Sequence, residues 1–416
     1  MTVELSAPAL SGTTGASRRR IAFVVPRYGL EVIGGGETHC RQVAERLVDY
    51  FDVDVLTTCA LDYSTWEDHY APGVSALNEV TVRRFSVPRR RDPDEFARFT
   101  EHLFHERHTP MEELEWMIKQ GPASPALLTY IRDSRHEYDL FVFMIYLYFP
   151  TYFGLPLVPE KAVFLPLAHD EPPFHLSLFR PLYHLPRLIV YNTPAEQELI
   201  RWKFGPFIAP GVVLGSGVEL PCEGDPVAFR REHGLADDFL LYVGRINESK
   251  WCHELIEYFG RYKAERRNLT KLVLIGPSEL DLPRRPDIIH LGVVADEVKV
   301  SALRAATVFV MPSHFESLSY ATLEAWLAGT AVLVSGAAEV LRDHCRLSNG
   351  GLYYRNYDEF AVCLDRLLAD PPLRRRLAAN GRRYAEERYL WEKISEQLRH
   401  HFERVAATVA ERGIGQ

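Results

Sequence analysis

Short, continuous apolar runs alternate with helical segments in two series along this chain, and this repetition constrains its fold more than any other feature. The second series begins after residue 238, and its five runs are FLLYVGR (239–245), KLVLIGP (271–277), IIHLGVV (288–294), TVFVMPS (307–313) and AVLVSG (331–336). Helical segments separate them at 251–266, 296–306 and 318–328. Continuous apolar strands that alternate with helices are typical of a parallel sheet covered on both faces.

The first series opens in the same way. The run RIAFVV (20–25) leads to a glycine cluster, Gly34 to Gly36, and a helical pattern (37–50) connects it to the strand DVDVLTT (52–58). This order is the opening of a doubly wound sheet. Further strands are predicted at 79–87, 140–146, 162–168 and 187–192, with a polar helical insert at about 92–134.

A length of 416 residues exceeds what one hydrophobic core usually serves, so the two series predict two domains. The glycines of GVVLGSGVEL (211–220) mark the hinge between them. Two α/β domains that face each other across a hinge form a cleft between them. We expect the ligand to bind in this cleft, because ligands bind at the carboxyl ends of such strands. The predicted division is a flexible tail (1–19), a first domain (20–215), a second domain (216–388) and a C-terminal helix (389–416).

Composition and charge exclude several function classes. The net charge of −8 argues against non-specific affinity for nucleic acid or for an anionic membrane. Three prolines interrupt the most apolar stretch (139–159), which predicts a buried strand running into an aromatic loop or helix rather than a membrane span. Peripheral membrane contact stays open. The six scattered cysteines predict reduced core thiols and a cytoplasmic protein.

Two glutamates in the second half have the strongest potential for chemistry. Glu316 follows the strand that ends at Ser313, and Ser317 or Ser319 is predicted to cap the next helix, leaving its first amides open to an anion. Glu324 lies eight residues further on, so the two carboxylates cannot act on the same atom. The alternative is a surface glutamate followed by an ordinary helix glutamate.

Cations and glycines suggest how an anionic ligand is held. Arg245 and Lys250 flank a turn, where they would stabilise a diphosphate leaving group as it gains charge. The cluster Gly34-Gly35-Gly36 lets the backbone approach a phosphate at a helix start. The alternative for the two cations is a solvated loop in which both are exposed, and the alternative for the glycine cluster is a tight turn without a ligand.

One histidine and two aspartates complete the candidates. His169, in AHDEPPF (168–174), is predicted at the cleft edge of the first domain, where it would form a hydrogen bond with a sugar hydroxyl or carbonyl. A purely structural role is the alternative. Asp52 and Asp54 match an Asp-x-Asp metal motif, but their position at the start of an alternating strand favours a structural role. No cluster has magnesium or zinc ligand spacing, so we predict no metal and no cofactor.

Taken in order, these segments resemble the family 4 retaining glycosyltransferases, which have the GT-B fold of two Rossmann-like domains facing a central cleft. The resemblance covers nearly the whole chain after residue 20. The matching motifs are Gly34-Gly35, His169, the hinge SGVE (216–219), Arg245 with Lys250, and Glu316 with Glu324. Where the family often has glycines, this chain has Ser317 and Ser319, and it also departs at Tyr320 and Ser216.

The resemblance implies a role for each of these residues. Arg245 and Lys250 would hold the donor diphosphate, Glu316 and His169 would contact the donor sugar, and Glu324 would bond the ribose. The remaining donor contacts implied are Gly34, Gly35, Gly36, Ser317, Leu318 and, for the nucleobase, Val294 and Lys299. The last helix, with Trp391, would cross back onto the first domain.

The implied reaction transfers a hexose-like sugar, with retention, from a nucleotide-diphosphate sugar to a glycan, lipid-linked or small-molecule hydroxyl, as in polysaccharide or glycoconjugate biosynthesis. The alternatives are another GT-B-like enzyme (a phosphorylase or a nucleotide-sugar epimerase) and a non-catalytic nucleotide-sugar-binding protein. Trp116, in the helical insert, is the predicted acceptor contact, and an amphipathic helix pair covering the sheet is the alternative.

Overall fold

The computed structural model describes residues 18–413, so most of the predicted tail lies outside the described residues. Fourteen strands lie in this part of the chain. They are β1 Arg20–Val24, β2 Asp52–Thr58, β3 Gly73–Leu77, β4 Val80–Phe85, β5 Leu140–Met144, β6 Ala162–Leu165, β7 Leu188–Tyr191, β8 Gly211–Val213, β9 Phe239–Val243, β10 Lys271–Ile275, β11 Ile288–His290, β12 Val308–Met311, β13 Val332–Ser335 and β14 Gly351–Tyr354.

Each half of the chain forms its own sheet. The first has eight strands in the order β3-β4-β2-β1-β5-β6-β7-β8, parallel except for the antiparallel edge strand β3. The second has six parallel strands in the order β11-β10-β9-β12-β13-β14. The order reverses beside β1 in one sheet and beside β9 in the other, and ligands bind at such reversal points in open α/β sheets. The predicted α/β, GT-B class with two doubly wound domains is confirmed.

Helices cover both faces of the two sheets. The fourteen α-helices of the described chain are α1 Gly35–Leu47, α2 Pro93–His105, α3 Pro110–Gln120, α4 Pro125–Asp133, α5 Phe149–Gly154, α6 Pro194–Phe204, α7 Pro226–Glu232, α8 Cys252–Glu265, α9 Asp296–Ala305, α10 Tyr320–Leu327, α11 Glu339–Ser348, α12 Tyr357–Ala369, α13 Pro371–Arg388 and α14 Trp391–Gly413. None of them is both long and apolar enough to cross a membrane. The apolar stretch 139–159 forms β5 and α5, as the sequence predicts.

The last helix returns to the first domain. Tyr389, between α13 and α14, accepts a hydrogen bond from the Val218 amide of the predicted hinge, across 2.6 Å. From Trp391 onward, the apolar face of α14 packs into the core around β1 and β2; its buried members are Trp391, Ile394, Leu398, Phe402 and Ala406. The two chain crossings, at the hinge and before α14, therefore lie side by side and join the domains.

The helical insert comprises α2, α3 and α4, each of which opens with a proline at its first position. Proline is favoured there because its missing N–H would be unpaired in any case. Asp92 caps α2, and Thr109 with Glu112 forms a reciprocal capping box on α3. The local sequence therefore favours the starts of these helices, most clearly those of α2 and α3.

Candidate active site

A cavity of about 290 Å³ lies between the domains, at the carboxyl ends of the central strands of both sheets. It brings together nine of the residues selected from the sequence: Gly34, Gly35, Gly36 and His169 from the first domain, and Arg245, Lys250, Glu316, Ser317 and Leu318 from the second. Two further cavities adjoin it, one beyond His169 and one beyond Arg245, with volumes of about 250 and 670 Å³. The residues are thus placed along one continuous cleft.

Lys250 and Glu316 form an ion pair in this cavity, with 2.7 Å between Lys250 Nζ and Glu316 Oε1. Lys250 ends a short 3₁₀ turn that follows β9, where the Asn247 side chain accepts a hydrogen bond from the Lys250 amide. Glu316 lies in the loop between β12 and α10. The pair therefore links the two loops that carry the principal candidates, a contact that the spacing of the residues did not predict.

Arg245 is the second cation of the cavity. Its guanidinium carbon lies 5.7 Å from the centre of the Tyr63 ring, and Arg27 lies 5.5 Å from the same ring. Within residues 18–413, Arg27 is paired with the buried carboxylate of Glu37, whereas Arg245 forms no ion pair. Arg245 thus presents an uncompensated guanidinium, suited to binding two oxygens of a phosphate.

The glycine cluster lies at the start of α1, which opens onto the cavity without a side-chain cap. A Cβ atom at Gly36 would stand 2.6 Å from Ile145 Cδ1, so an alanine there would have to displace the Ile145 side chain where α1 packs on the ends of β5 and β6. At Gly35, by contrast, a Cβ would meet no atom within 4 Å. Close packing and an open backbone therefore occur at adjacent positions.

The loop after Glu316 holds its shape through the backbone. Ser319 has φ +66°, in the left-handed region that favours glycine, and its hydroxyl contacts Thr322 Oγ1 at 2.9 Å. The predicted side-chain cap is wrong, because no serine hydroxyl bonds an amide of α10. The helix start is instead uncapped toward the cavity. Tyr320 contacts the hinge through the hydroxyl of Ser216.

His169 is held by a carboxylate from its own loop. Its Nδ1 lies 3.2 Å from Glu171 Oε1, which also accepts a hydrogen bond from the Tyr146 hydroxyl across 2.7 Å. Burial opposes protonation of His169, but the charge and hydrogen bond of Glu171, together with the charge of Glu316, outweigh it and raise the pKa of the imidazole. Burial would likewise raise the pKa of Glu171, but His169 and Tyr146 keep it lowered. The cleft edge therefore carries a histidine that is protonated more readily than a free imidazole.

Glu324 and Lys299 form a separate ion pair in the second domain, with 3.1 Å between Nζ and Oε1. Burial raises the pKa of Glu324 although Lys299 opposes it. The same carboxylate, with Asp296, raises the pKa of Lys299 against its own burial. Neither residue lines the cavity, and Val294 packs against the core of the second domain. The structure thus groups Lys299 with Glu324 but does not bring these three residues to Glu316.

Trp116 is not among the residues that line the cavities of the cleft, so its position gives no support to the acceptor role predicted for it. Its side chain is 2% exposed, packs against Phe96 and Phe104, and donates from Nε1 to Thr100 Oγ1 across 3.0 Å. The amphipathic pattern of α2 and α3 buries Trp116 between these helices. The alternative interpretation was an amphipathic helix pair covering the sheet; α2 does pack on α3, and α3 packs on α5.

Two buried histidines escaped the sequence reasoning. His39 lines the cavity, is 1% exposed and leaves Nε2 without a hydrogen-bond partner. His344 donates from Nε2 to the Leu318 carbonyl across 2.9 Å and so supports the loop after Glu316 from behind. Burial lowers the pKa of His39 to about 3 and of His344 to about 4, so both are neutral. The sequence offered one indication for His39, which is its position three residues after Gly36 at the start of α1.

Asp54 has a structural role, as the sequence suggested. Its Oδ2 accepts hydrogen bonds from Arg20, Arg83 and Tyr138 at 2.6–2.8 Å. Among the described residues no group of His, Cys, Asp or Glu side chains is arranged to hold a metal ion. All six cysteines are free, but Cys222 and Cys363 are only half-buried, so the prediction of six core thiols was too broad.

Comparisons with known proteins agree with this architecture. The family model described as glycosyl transferases group 1 matches residues 228–384. An uncharacterised glycosyltransferase of Methanocaldococcus jannaschii is 30% identical over 401 residues, which cover 91% of this chain and 96% of that protein. The sucrose-phosphate synthase of Thermosynechococcus elongatus has a similar fold, with a TM-score of 0.71 at 20% identity, covering 94% of this chain and 100% of that one.

A second solved structure, HepE of Anabaena in complex with UDP-glucose, has a TM-score of 0.66 at 16% identity. It covers 94% of this chain, and this chain covers 99% of it. At such identities the two structures establish the shared fold, whereas the full-length relative from Methanocaldococcus jannaschii establishes common descent.

Proposed function

The chain belongs to the group 1 glycosyltransferases, and from that premise we propose that it transfers a hexose-like sugar from a nucleotide-diphosphate sugar to an acceptor hydroxyl, with retention of the anomeric configuration. The observation that carries this proposal is the convergence of Arg245, Lys250 and Glu316 on one cavity, facing His169 and the start of α1. Cations, an uncapped helix start and a carboxylate are what a charged sugar donor requires.

In the proposed reaction the bond between the anomeric carbon and the diphosphate oxygen breaks, and the diphosphate leaves with its electron pair. Arg245 and Lys250 stabilise the charge that grows on the departing oxygens. The acceptor hydroxyl attacks from the same face, its oxygen bonds to the anomeric carbon, and its proton passes to the diphosphate. No side chain needs to act as a nucleophile.

The ion pair between Lys250 and Glu316 supports a donor-dependent rearrangement. A diphosphate that enters the cavity competes with Glu316 for Lys250, because an ammonium forms strong hydrogen bonds with phosphate oxygens as well. Glu316 is then released toward the sugar hydroxyls, which are hydrogen-bond donors. Lys250 would exchange Glu316 for the diphosphate, and Glu316 would exchange Lys250 for the sugar hydroxyls. Binding of the donor would thereby place the Glu316 carboxylate beside the sugar.

The donor is tested by thermal shift against a panel of nucleotide diphosphates and their sugars, beginning with UDP-glucose because the similar HepE was solved with that compound. Turnover is then measured as nucleotide diphosphate released with and without an acceptor. Release that requires an acceptor hydroxyl supports transfer. Sugar 1-phosphate formed from a glycan and inorganic phosphate would identify a phosphorylase, and interconversion of nucleotide sugars an epimerase. Binding without any turnover would identify a binding protein.

A further inference from the structure

Trp251, which precedes the first residue of α8, has a backbone conformation that residues other than glycine rarely adopt. Its φ of +55° and ψ of +29° lie in the left-handed region, where the Cβ atom of an ordinary residue crowds the following carbonyl oxygen. Glycine avoids this cost and asparagine tolerates it, but tryptophan has neither advantage. Strained residues persist where the surrounding structure holds them, and they cluster at functional sites. We therefore attribute the presence of tryptophan here to its indole ring.

The indole ring packs on the loop that carries Glu316. It stacks on His314, with 4.2 Å between the ring centres and 19° between the ring planes, and it meets Phe315 edge-on at 5.3 Å. Helix α8 also contacts His314 directly, since the Nε2 atom of this histidine lies 3.5 Å from Glu254 Oε1. Stacked and edge-on aromatic pairs stabilise a structure beyond the area that they bury. The ring of Trp251 thus restrains the two residues that directly precede Glu316.

Trp251 also directly follows Lys250. Besides the ion pair of Lys250 with Glu316, its aromatic contacts therefore join the loop after β9 to the loop after β12. The two kinds of contact differ in their response to a donor. In the proposed reaction a diphosphate replaces Glu316 on Lys250, which breaks the ion pair. Trp251 lines none of the three cavities of the cleft, so its ring can keep its partners while the donor binds.

We propose that Trp251 is a positioning residue, which holds the carboxylate of Glu316 at the donor sugar once Lys250 has exchanged it for the diphosphate. Phe315 extends this restraint, because it lines both the cavity that contains Lys250 and the cavity beyond His169. Its ring meets the His169 ring edge-on at 5.8 Å. Trp251 thereby supports sugar-facing residues of both domains without touching the donor. This inference rests on the proposed function, since that function assigns Glu316 to the sugar.

The test measures how much the sugar contributes to donor affinity. Calorimetry gives dissociation constants for the nucleotide sugar that raises the melting temperature most in the panel described above, and for its free nucleotide diphosphate. In Trp251→Gly the ratio of the first constant to the second should rise about tenfold, as expected when a hydrogen bond to a charged group is lost. Affinity for the free diphosphate should stay the same, because Arg245 and Lys250 are retained. Turnover should fall at least about tenfold through misplacement of Glu316.

Two further replacements separate the ring from the backbone. Trp251→Asn also suits the left-handed conformation and lacks the ring, so it should behave as Trp251→Gly does. Trp251→Phe keeps the strained backbone but retains a ring that can pack on the same partners, so it should restore most of the turnover and of the affinity ratio. Tyr258→Ala is the matched control, because it removes another half-buried ring of α8, which packs against Tyr354, Tyr357 and Phe360. It should lower the melting temperature and leave the affinity ratio unchanged.

A folded Trp251→Gly or Trp251→Asn protein with the affinity ratio and turnover of the unchanged protein would overturn the proposal and leave the proposed function intact. Equal losses of affinity for the nucleotide sugar and the free diphosphate would also overturn it, because Trp251 would then support the domain as a whole. A Trp251→Phe protein no better than Trp251→Gly would show that the ring contacts are not the cause. If the unchanged protein binds no nucleotide sugar, the proposed function itself fails, and this inference fails with it.

Discussion

Lys250 Nζ donates a hydrogen bond to Glu316 Oε1 across 2.7 Å. The residue proposed to bind the donor phosphate and the residue proposed to bind the donor sugar therefore neutralise each other's charge before a donor arrives. Because the two side chains are paired, replacing one of them should change how the other interacts with phosphate, which would not hold if they acted independently. Removing the carboxylate frees the ammonium for phosphate, whereas removing the ammonium leaves a carboxylate that repels phosphate.

Replacing Glu316 by alanine should abolish sugar transfer, because the contact to the donor sugar is lost. Affinity for the free nucleotide diphosphate should be retained or rise, since Lys250 no longer has an intramolecular partner. Isothermal calorimetry beside steady-state rates measures both, with Glu257→Ala on the exposed face of α8 as the control. Near-normal turnover of a folded Glu316→Ala protein would show that this cleft is not the transfer site.

Replacing Arg245 or Lys250 by alanine should lower turnover by about 10²-fold or more, because each removes charge from the site where the leaving group becomes most negative. Nucleotide diphosphate affinity should fall too, since the ground state already carries charge. Lys250→Ala should bind more weakly than Lys250→Ala combined with Glu316→Ala, in which no carboxylate is left unpaired. Arg267→Ala, an exposed cation at the end of α8, should match the unchanged protein.

The fold could be predicted largely from the sequence, because the central strands of a doubly wound sheet are buried on both faces and read as continuous apolar runs. Three of the four edge strands could not, whereas the fourth, β11, lies in the predicted run 288–294. β3 is almost fully exposed, β8 has three residues within the predicted hinge, and β14 includes an exposed Tyr353, so none of these three shows a buried apolar run of strand length. Pairing with a neighbour, rather than local pattern, defines such strands.

In the candidate site, likewise, some residues could be predicted from the sequence and others could not. Residues at strand ends, such as Arg245 and Glu316, could be selected because parallel strands bring their carboxyl ends to one edge. Tyr63 and His344 could not, since their roles lie in contacts with Arg245 and the Leu318 carbonyl, which belong to distant segments. The burial of Trp116 could not be predicted, because amphipathic periodicity does not reveal which side of a helix pair faces the cleft.

Activity should survive excess chelator. The described residues provide no metal-ligating cluster, and Arg245 with Lys250 can neutralise a diphosphate instead. Initial rates with and without EDTA test this, and a parallel assay of a known magnesium-dependent transferase shows that the chelator is effective. Loss of activity that magnesium or manganese restores would contradict the prediction.

Stability should depend on pH through His169 and Glu171. The pKa of His169 is raised in the folded state, so its contribution is complete below the ordinary value of 6.5 and is lost as pH rises through the folded-state value. The pKa of Glu171 is lowered, so its contribution is present above 4.5 and is lost as pH falls through the folded-state value. The pair therefore stabilises the fold most between these two limits.

The difference in melting temperature between the unchanged protein and Glu171→Gln should accordingly be largest at about pH 5–6 and should shrink as pH rises above the range in which histidine titrates. The difference is the quantity to measure, because burial raises the pKa of Glu196 to about 7 and this neighbour titrates in both proteins. A difference that does not vary with pH would show that Glu171 acts through packing alone.

The adjacent glycines should respond differently to the same added methyl group. A Cβ at Gly36 would stand 2.6 Å from Ile145 Cδ1 and 3.2 Å from Leu167 Cδ1, so Gly36→Ala should destabilise the fold by about 1–3 kcal/mol through overpacking. A Cβ at Gly35 meets no atom within 4 Å, so Gly35→Ala should fold normally, and its methyl group should weaken nucleotide diphosphate binding because it stands at the open start of α1. Thermal unfolding and calorimetry on the two variants serve as each other's controls. Equal losses of melting temperature would refute the packing argument, and unchanged affinity in Gly35→Ala would show that the donor does not approach this backbone.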